Sequence, residues 1–298
     1  MLRIGFDLGG TKTEGIVMDD NGQILWRERR ATPQADGYRA VLANIRDLVL
    51  ELERRAGVPC RVGLGTPGAI STKTGFLKNS NTVSLNGQPV KQDLERLLAR
   101  EIRIANDANC FALSEAVDGA GQGYGVVFGV ILGTGVGGGI VFHGQLHTGL
   151  QHIAGEWGHN VLEPDGPHCY CGKRGCVETF LSGPGLARDF QLHGGDSSWD
   201  ARAIDAAATH GDPLAAAAMQ RYFDRFGRAL SVVVNILDPD AIVLGGGLSN
   251  SSRIYTDGRE RLALYSFNDE LRTALLPHRH GDSSGVRGAA RLWPAQKQ

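Results

Sequence analysis

A chain of 298 residues, 42% hydrophobic and 21% charged, has the composition of a globular protein and the length for one large domain or two medium ones. Its formal net charge of −1 supplies no field that would gather nucleic acid or an anionic membrane surface. Neither a run of about 18 apolar residues nor a signal-peptide pattern occurs, so the expectation is a cytoplasmic protein with no membrane or nucleic-acid partner.

In chain order, residues 2–8 and 13–18 are predicted as strands joined at Gly9-Gly10, and Asp19-Asp20-Asn21-Gly22 is a hairpin signal leading to a third strand over 23–29. Tyr38, Val41, Ile45, Leu48, Val49 and Leu52 follow helical spacing. A buried strand over 61–65 stops at Thr66-Pro67-Gly68. A helix over about 90–101, a strand over 102–105 and a helix opening at Asp107 complete a first unit.

A second unit is predicted from Gly119. Residues 126–132 form an apolar strand, a glycine-rich turn follows, and 139–142 return. This repeats the opening order of strand, Gly-Thr turn and strand, which suggests two related α/β halves with a ligand between them. Tyr222, Phe223, Phe226, Leu230, Val233, Val234 and Leu237 mark a long helix stopped by Asp238-Pro239. A buried strand over 241–244 feeds Gly245-Gly246-Gly247, and 285–293 is a closing helix expected to pack back on the first unit. The expected division is 1–118 plus about 281–298 against 119–280.

Three glycine-rich turns follow apolar strands: Asp7-Leu8-Gly9-Gly10-Thr11-Lys12-Thr13, Leu132-Gly133-Thr134-Gly135-Val136-Gly137-Gly138-Gly139, and Leu244-Gly245-Gly246-Gly247-Leu248-Ser249. Glycine lets backbone N–H groups approach phosphate oxygens, and Thr11, Thr13 and Thr134 add hydroxyl donors. One such turn is commonly just a tight hairpin, but three with matching hydroxyls point to nucleotide. None is a Walker or Rossmann loop. Asp7, a carboxylate at the head of the first turn, would repel a nucleotide unless a cation lay between them, which suits Mg²⁺. Asp107 sits where a strand delivers an acid to a helix start. An N-cap is the plain reading, and a general base for an alcohol is the chemical one.

Of the five cysteines, Cys60 and Cys110 stand singly in apolar surroundings as buried thiols. Cys169, Cys171 and Cys176 cluster after His159 and form an N/S₃ set that suits a closed, structural Zn²⁺ site. Glu156 and Glu178 flank this loop and suit hydrogen bonding to sugar hydroxyls, although solvated charge explains them equally well.

DLGGTKT, LGTGVGGG, the Asn106-Asp107 segment, GEWGH and CYCGKRGCVE together resemble the ROK family of sugar kinases and repressors, and the likeness continues through LDPDAIVLGGGLS and HGDSSGVRGAA. NSNTVSLNGQP, NDANCFALSEAVDGA and AGEWGHN are most similar to bacterial fructokinases of the manno(fructo)kinase type. The resemblance implies an α/β, two-lobed actin/hexokinase-like (ribonuclease H-like) ATPase fold with an interlobe cleft. It implies transfer of the γ-phosphate of ATP, with Mg²⁺, to the 6-hydroxyl of a hexose. Fructose leads, mannose is secondary, and glucose and N-acetylglucosamine are the alternatives.

By the same resemblance Asp107 is the general base. Asn81, Asn106, Glu156, His159 and Glu178 bind sugar, Asn81 from near the pocket rim with Asn79 and Ser80. His159 doubles as a zinc ligand with Cys169, Cys171 and Cys176. Gly9, Gly10, Thr11 and Lys12 form the first phosphate loop, Gly133, Thr134 and Gly135 the second, and Gly245, Gly246 and Gly247 the adenosine side. A homodimer or higher oligomer is expected. A sugar-sensing repressor is disfavoured, because a strand from residue 2 leaves no room for a DNA-binding module. A non-catalytic actin-like ATPase gives no reason for the cysteine loop.

Overall fold

The structure is a computed structural model, and it describes residues 1–80 and 82–295. Its first half opens with an antiparallel meander of β1 (Arg3–Leu8), β2 (Lys12–Met18) and β3 (Ile24–Ala31). The predicted hairpin closes there with Asp19 N donating to Gln23 O at 3.1 Å. Helix α1 (Tyr38–Ala56) follows, and its six predicted apolar positions are buried except Tyr38, which packs at the edge of the same cluster. Strand β4 (Arg61–Thr66) runs parallel to β1. A two-stranded ribbon, β5 (Ala69–Ile70) with β6 (Leu77–Lys78), then leads to α2 (Val90–Leu98). Strand β7 (Ile102–Asn106) lies parallel to β4, and α3 (Asp107–Asp118) ends the half.

The second half repeats this plan. Strands β8 (Val126–Leu132), β9 (Val136–Phe142) and β10 (Gln145–His147) form another antiparallel meander. Four helices follow: α4 (Glu178–Leu181), α5 (Gly183–Leu192), α6 (Ala201–Thr209) and α7 (Pro213–Leu237). Strand β11 (Ala241–Gly245) runs parallel to β8. After α8 (Asp257–Tyr265), β12 (Ala274–Pro277) runs parallel to β11, and α9 (Ser284–Arg291) closes the chain. The sheets are ordered β3-β2-β1-β4-β7 and β10-β9-β8-β11-β12, so the short echo in the sequence marks a duplicated topology.

Sequence signals explain several ends. Asp200 caps α6 and Asp212 caps α7, each through a side-chain oxygen accepting from the third residue on. Helix α7 begins nine residues before its predicted aromatic stripe, because Pro213 pre-sets its first turn. It ends at Asp238 in the left-handed region, φ 46°, just before Pro239. Among the described residues, no helix is long and apolar enough to cross a membrane.

The terminal helices of the two halves are exchanged. Helix α9 packs on β1, β2 and β4 of the first sheet, while α3 lies mainly across β8 and β9 of the second, and the two helices pack against each other. The placement of α3 differs from the expected division, in which it closed the first unit. Missing side chains explain how close these layers come. A Cβ on Gly63 would lie 1.9 Å from Ala289 O, and one on Gly288 would lie 1.7 Å from Cys110 O. Buried Glu115 of α3 locks the entry to α9, accepting from Arg279 N at 2.9 Å, His280 N at 3.1 Å and Ser284 Oγ at 2.8 Å. Each sheet's other face is covered separately, the first by α1 and α2 and the second by α4 to α8. The exchanged helix pair therefore sits between the lobes, and the strand ends β1, β4, β7 and β8 deliver their turns to one cleft.

Candidate active site

The β1–β2 turn is closed by a bond of its own and held by two side chains from outside it. Gly9 N donates to Lys12 O at 2.9 Å, Thr32 Oγ1 donates to Gly9 O at 2.8 Å, and Gln34 Nε2 donates to Gly10 O at 3.1 Å. Thr11 and Lys12 are exposed. Thr13 departs from its expected place on a phosphate. It is fully buried, with Oγ1 2.8 Å from Thr32 Oγ1. Because the Thr32 proton already goes to Gly9 O, Thr13 donates to Thr32 and braces the turn from behind. The physical reason is strand alternation, which points residue 13 inward once Lys12 points out.

Asp7 is the last residue but one of β1, at the head of this turn, and its carboxyl is pushed up to about 6, first by burial and then by the charges of Asp107 and Glu14, with Lys12 opposing. Helix α9 walls it in, since a Cβ on Gly285 would sit 3.4 Å from Asp7 Oδ2.

Strand β7 hands over to α3 at Asn106-Asp107. The N-cap is Asn106, whose Oδ1 accepts from Asn109 N at 2.8 Å. Asp107 is thus relieved of capping; Oδ1 accepts from the adjacent Ala108 N at 2.8 Å. Burial pushes the Asp107 carboxyl up, with backbone hydrogen bonds opposing. Cys110, one turn on, is fully buried as expected, and burial with the nearby Asp7 and Asp107 charges holds its thiol well above the usual range. Asp7 near the end of β1 and Asp107 just past the end of β7, two strands apart with β4 between them, thereby share one desolvated corner.

The second turn is shorter than the sequence suggests. Gly133 N donates to Gly135 O at 2.9 Å, and β9 starts at once at Val136. Gly137, Gly138 and Gly139 belong to the strand, not to a phosphate loop. Their bareness admits neighbours: a Cβ on Gly138 would lie 2.7 Å from Gly155 O and from Trp157 Cδ1, and one on Gly139 would lie 2.8 Å from Ala112 Cβ. Thr134 is exposed at the tip. In the third turn, Gly245 is buried inside β11 and makes room for Phe111, whose ring would lie 2.4 Å from a Cβ there. Only Gly246 and Gly247 open to the surface.

The GEWGH segment is pinned to β9 by Trp157, which is buried and donates from Nε1 to Gly137 O at 3.0 Å. This presents Glu156 to the same corner. Its carboxyl is pushed up by burial and by the charges of Asp107 and Glu178, against His159 and Lys78. Glu178 opens α4 and accepts from Val136 N at 3.0 Å through Oε2.

His159 Nδ1 lies 3.6 Å from Cys169 Sγ, Cys171 Sγ lies 3.6 Å from Cys176 Sγ, and all four ligand atoms fall within 4.8 Å of one another. Sulfurs bound about 2.3 Å from one zinc stand about 3.8 Å apart in a tetrahedron, so this donor set fits that ion. Two isolated bridges, Val161 with Cys176 and His168 with Arg174, zip the loop. Behind it Glu163 accepts from Arg225 Nε at 2.9 Å and Arg228 at 2.7 Å, fastening the loop to α7.

Two contributors were not legible beforehand. Tyr170, between two cysteines, places its hydroxyl 3.0 Å from His159 Nε2, so the imidazole face expected to meet sugar has a protein partner. Lys78, on β6 of the β5–β6 ribbon, is a cation whose charge reaches Glu156. Near the rim Asn86 holds Ser80 by Oδ1 and Nδ2 at 2.8 and 2.7 Å, and Asn79 takes φ 59°. Asn81, predicted to bind substrate, lies outside the described residues. A groove of about 1140 Å³ lined by residues such as Tyr124, Asn235 and Phe267 shares no residue with this site.

Two lobes of repeated topology, joined by exchanged helices and carrying glycine turns over paired carboxylates, define an α/β protein of the actin/hexokinase-like fold. The chain belongs to the ROK family, whose model matches residues 3–296. It is 43% identical to an N-acetyl-D-glucosamine kinase of Yersinia pseudotuberculosis serotype O:1b (strain IP 31758), over 98% of this chain and 99% of that protein. Among solved structures it resembles a ROK hexokinase from Thermus thermophilus, with 32% identity, a TM-score of 0.88 and 97% of each chain covered. It also resembles a ROK family glucokinase from Streptomyces griseus in complex with glucose and AMPPNP. There the identity is 29% and the TM-score 0.80, with 98% of this chain and 99% of that one covered.

Proposed function

We propose that this protein transfers the γ-phosphoryl group of ATP to the 6-hydroxyl of N-acetyl-D-glucosamine. It is a sugar kinase of the ROK family. The choice of sugar is supported by full-length similarity to a kinase named for that substrate, which moves N-acetylglucosamine ahead of the fructose expected from residues 79–89 and 106–120.

The observation that carries the chemistry is Asp107. It is desolvated and freed from capping by Asn106, and burial raises its carboxyl, the direction that strengthens it as a base. In the reaction the sugar O–H gives its proton to Asp107 while its oxygen bonds to the γ-phosphorus, and the bond from that phosphorus to the ADP oxygen breaks. Glu156 and Glu178 hold other hydroxyls, and Asn106 retains its amide N–H groups for the sugar because only its oxygen is used in the cap. The turns at Gly9–Lys12 and Gly133–Gly135, with Gly246 and Gly247, cradle the nucleotide.

Asp7 would hold the Mg²⁺ that accompanies ATP, which shields phosphate charge. His159 Nδ1 and the three cysteine sulfurs would hold a structural Zn²⁺ that stiffens the loop carrying Glu178. The apolar surface at the ends of α7 and α8, with Ile236 82% and Phe267 96% exposed, supports self-association.

The test is ADP release with Mg-ATP against N-acetylglucosamine, glucose, mannose and fructose, each beside a sugar-free blank. Preference for N-acetylglucosamine supports the reading. Preference for fructose restores the other substrate, and ADP release that ignores every sugar overturns the kinase.

A further inference from the structure

Glu178 touches two parts of the site at once. Its Oε2 accepts from Val136 N at 3.0 Å, the first amide after the Gly133–Gly135 turn. The contact is tight enough that a Cβ on Gly135 would lie 2.7 Å from the same oxygen. A second tie runs in parallel, Gly183 N to Gly133 O at 2.8 Å, so the α4–α5 segment grips the turn at both ends. The rest of the turn makes one internal bond, Gly133 N to Gly135 O. Glu178 also raises Glu156 through its charge, which places its carboxylate in the acid cluster, and it follows Cys176 by two residues in the metal loop. Among the described residues Oε1 has no hydrogen-bond partner.

We infer that Glu178 is a positioning residue for the nucleotide turn as well as a sugar acid, and that it couples sugar binding to nucleotide binding. The inference rests on the kinase reading above. A hydroxyl donating to Oε1 fixes the carboxylate, which fixes Val136 N and so narrows the positions open to the amides of Gly133–Gly135. An ordered turn loses less freedom on taking phosphate, so nucleotide binds more tightly when sugar is present. Linkage requires the converse by the same factor. Glu156 has no hydrogen bond to the turn and carries no such coupling.

The test is calorimetric titration of the zinc-loaded protein with AMPPNP and Mg²⁺, with and without saturating N-acetylglucosamine, for wild type, Glu178→Ala, Glu178→Gln and Glu156→Ala. Wild type should bind AMPPNP about fivefold or more tightly with sugar present. Without sugar, Glu178→Ala should lose several-fold in AMPPNP affinity while Glu156→Ala matches wild type. Glu178→Gln should recover that affinity, because its amide oxygen still accepts from Val136 N. Zinc content equal to wild type shows that the loop is intact in each variant. Equal sugar-free AMPPNP affinity in wild type and Glu178→Ala overturns the inference. A wild type that binds AMPPNP but no sugar overturns the kinase reading instead, and the two failures are distinct.

Discussion

Asp7 stands at a cost to stability that its proposed role explains. Its carboxyl is raised from 3.8 to about 6, chiefly by burial, so between those values the folded chain keeps a proton that the unfolded chain has released. The free energy of unfolding therefore falls as pH rises through this window, and the full penalty is present above it. At about 1.4 kcal/mol per pH unit, the penalty is about 3 kcal/mol. Asp7→Asn removes the charge and keeps the shape. Urea unfolding at about pH 8 should find the variant more stable by up to about 3 kcal/mol, and at about pH 4 the two proteins should agree, in line with linkage. Turnover with Mg-ATP should collapse in the same variant, and added Mg-ATP should stabilise wild type but not the variant. A gain equal at both pH values, or no gain at the higher one, refutes the reasoning.

Four further outcomes follow from the same geometry. Asp107→Asn should retain sugar binding by calorimetry while turnover drops by about two orders of magnitude or more, as loss of a general base requires. Stripping the His159, Cys169, Cys171 and Cys176 site with a chelator should lower the melting temperature and sugar affinity together. Metal analysis should find zinc before stripping, and added Zn²⁺ should restore both properties. Gly63→Ala should destabilise by about 3 kcal/mol or more, since backbone Ala289 O cannot retreat from a Cβ 1.9 Å away; Gly247→Ala, with nothing within 4 Å, should change stability by less than about 0.5 kcal/mol in the same denaturation assay. Phe267→Ser should reduce the mass found by light scattering, because the exposed apolar surface at the ends of α7 and α8 is the proposed self-contact.

Much of the site was legible because its signals are local. The spacing of Cys169, Cys171 and Cys176 survives folding unchanged, since a short loop can bring those sulfurs together by itself. Apolar spacing marked α1, and the apolar runs marked β8 and β11, because burial on one or both faces imposes those patterns directly. The start of α3 was also visible, but the division of labour there was not. Asn and Asp both cap well, and only the structure assigns the cap to Asn106 and leaves Asp107 free.

The amino-acid sequence by itself determined the first hairpin, α1, the apolar strands β8 and β11 and the types of ligand atom, all set by a few residues in a row. Tertiary structure decided what each glycine and hydroxyl is for. Gly137 to Gly139 look like an extended phosphate loop, yet they are bare so that Ala108, Ala112 and Trp157 can approach β9. Thr13 looks like a phosphate donor but faces inward to Thr32. The exchange of α3 and α9 between sheets, the hydroxyl of Tyr170 on His159 and the grip of Glu178 on Val136 join residues 11 or more apart. Such contacts depend on how two sheets and their helices pack, and no local pattern records them.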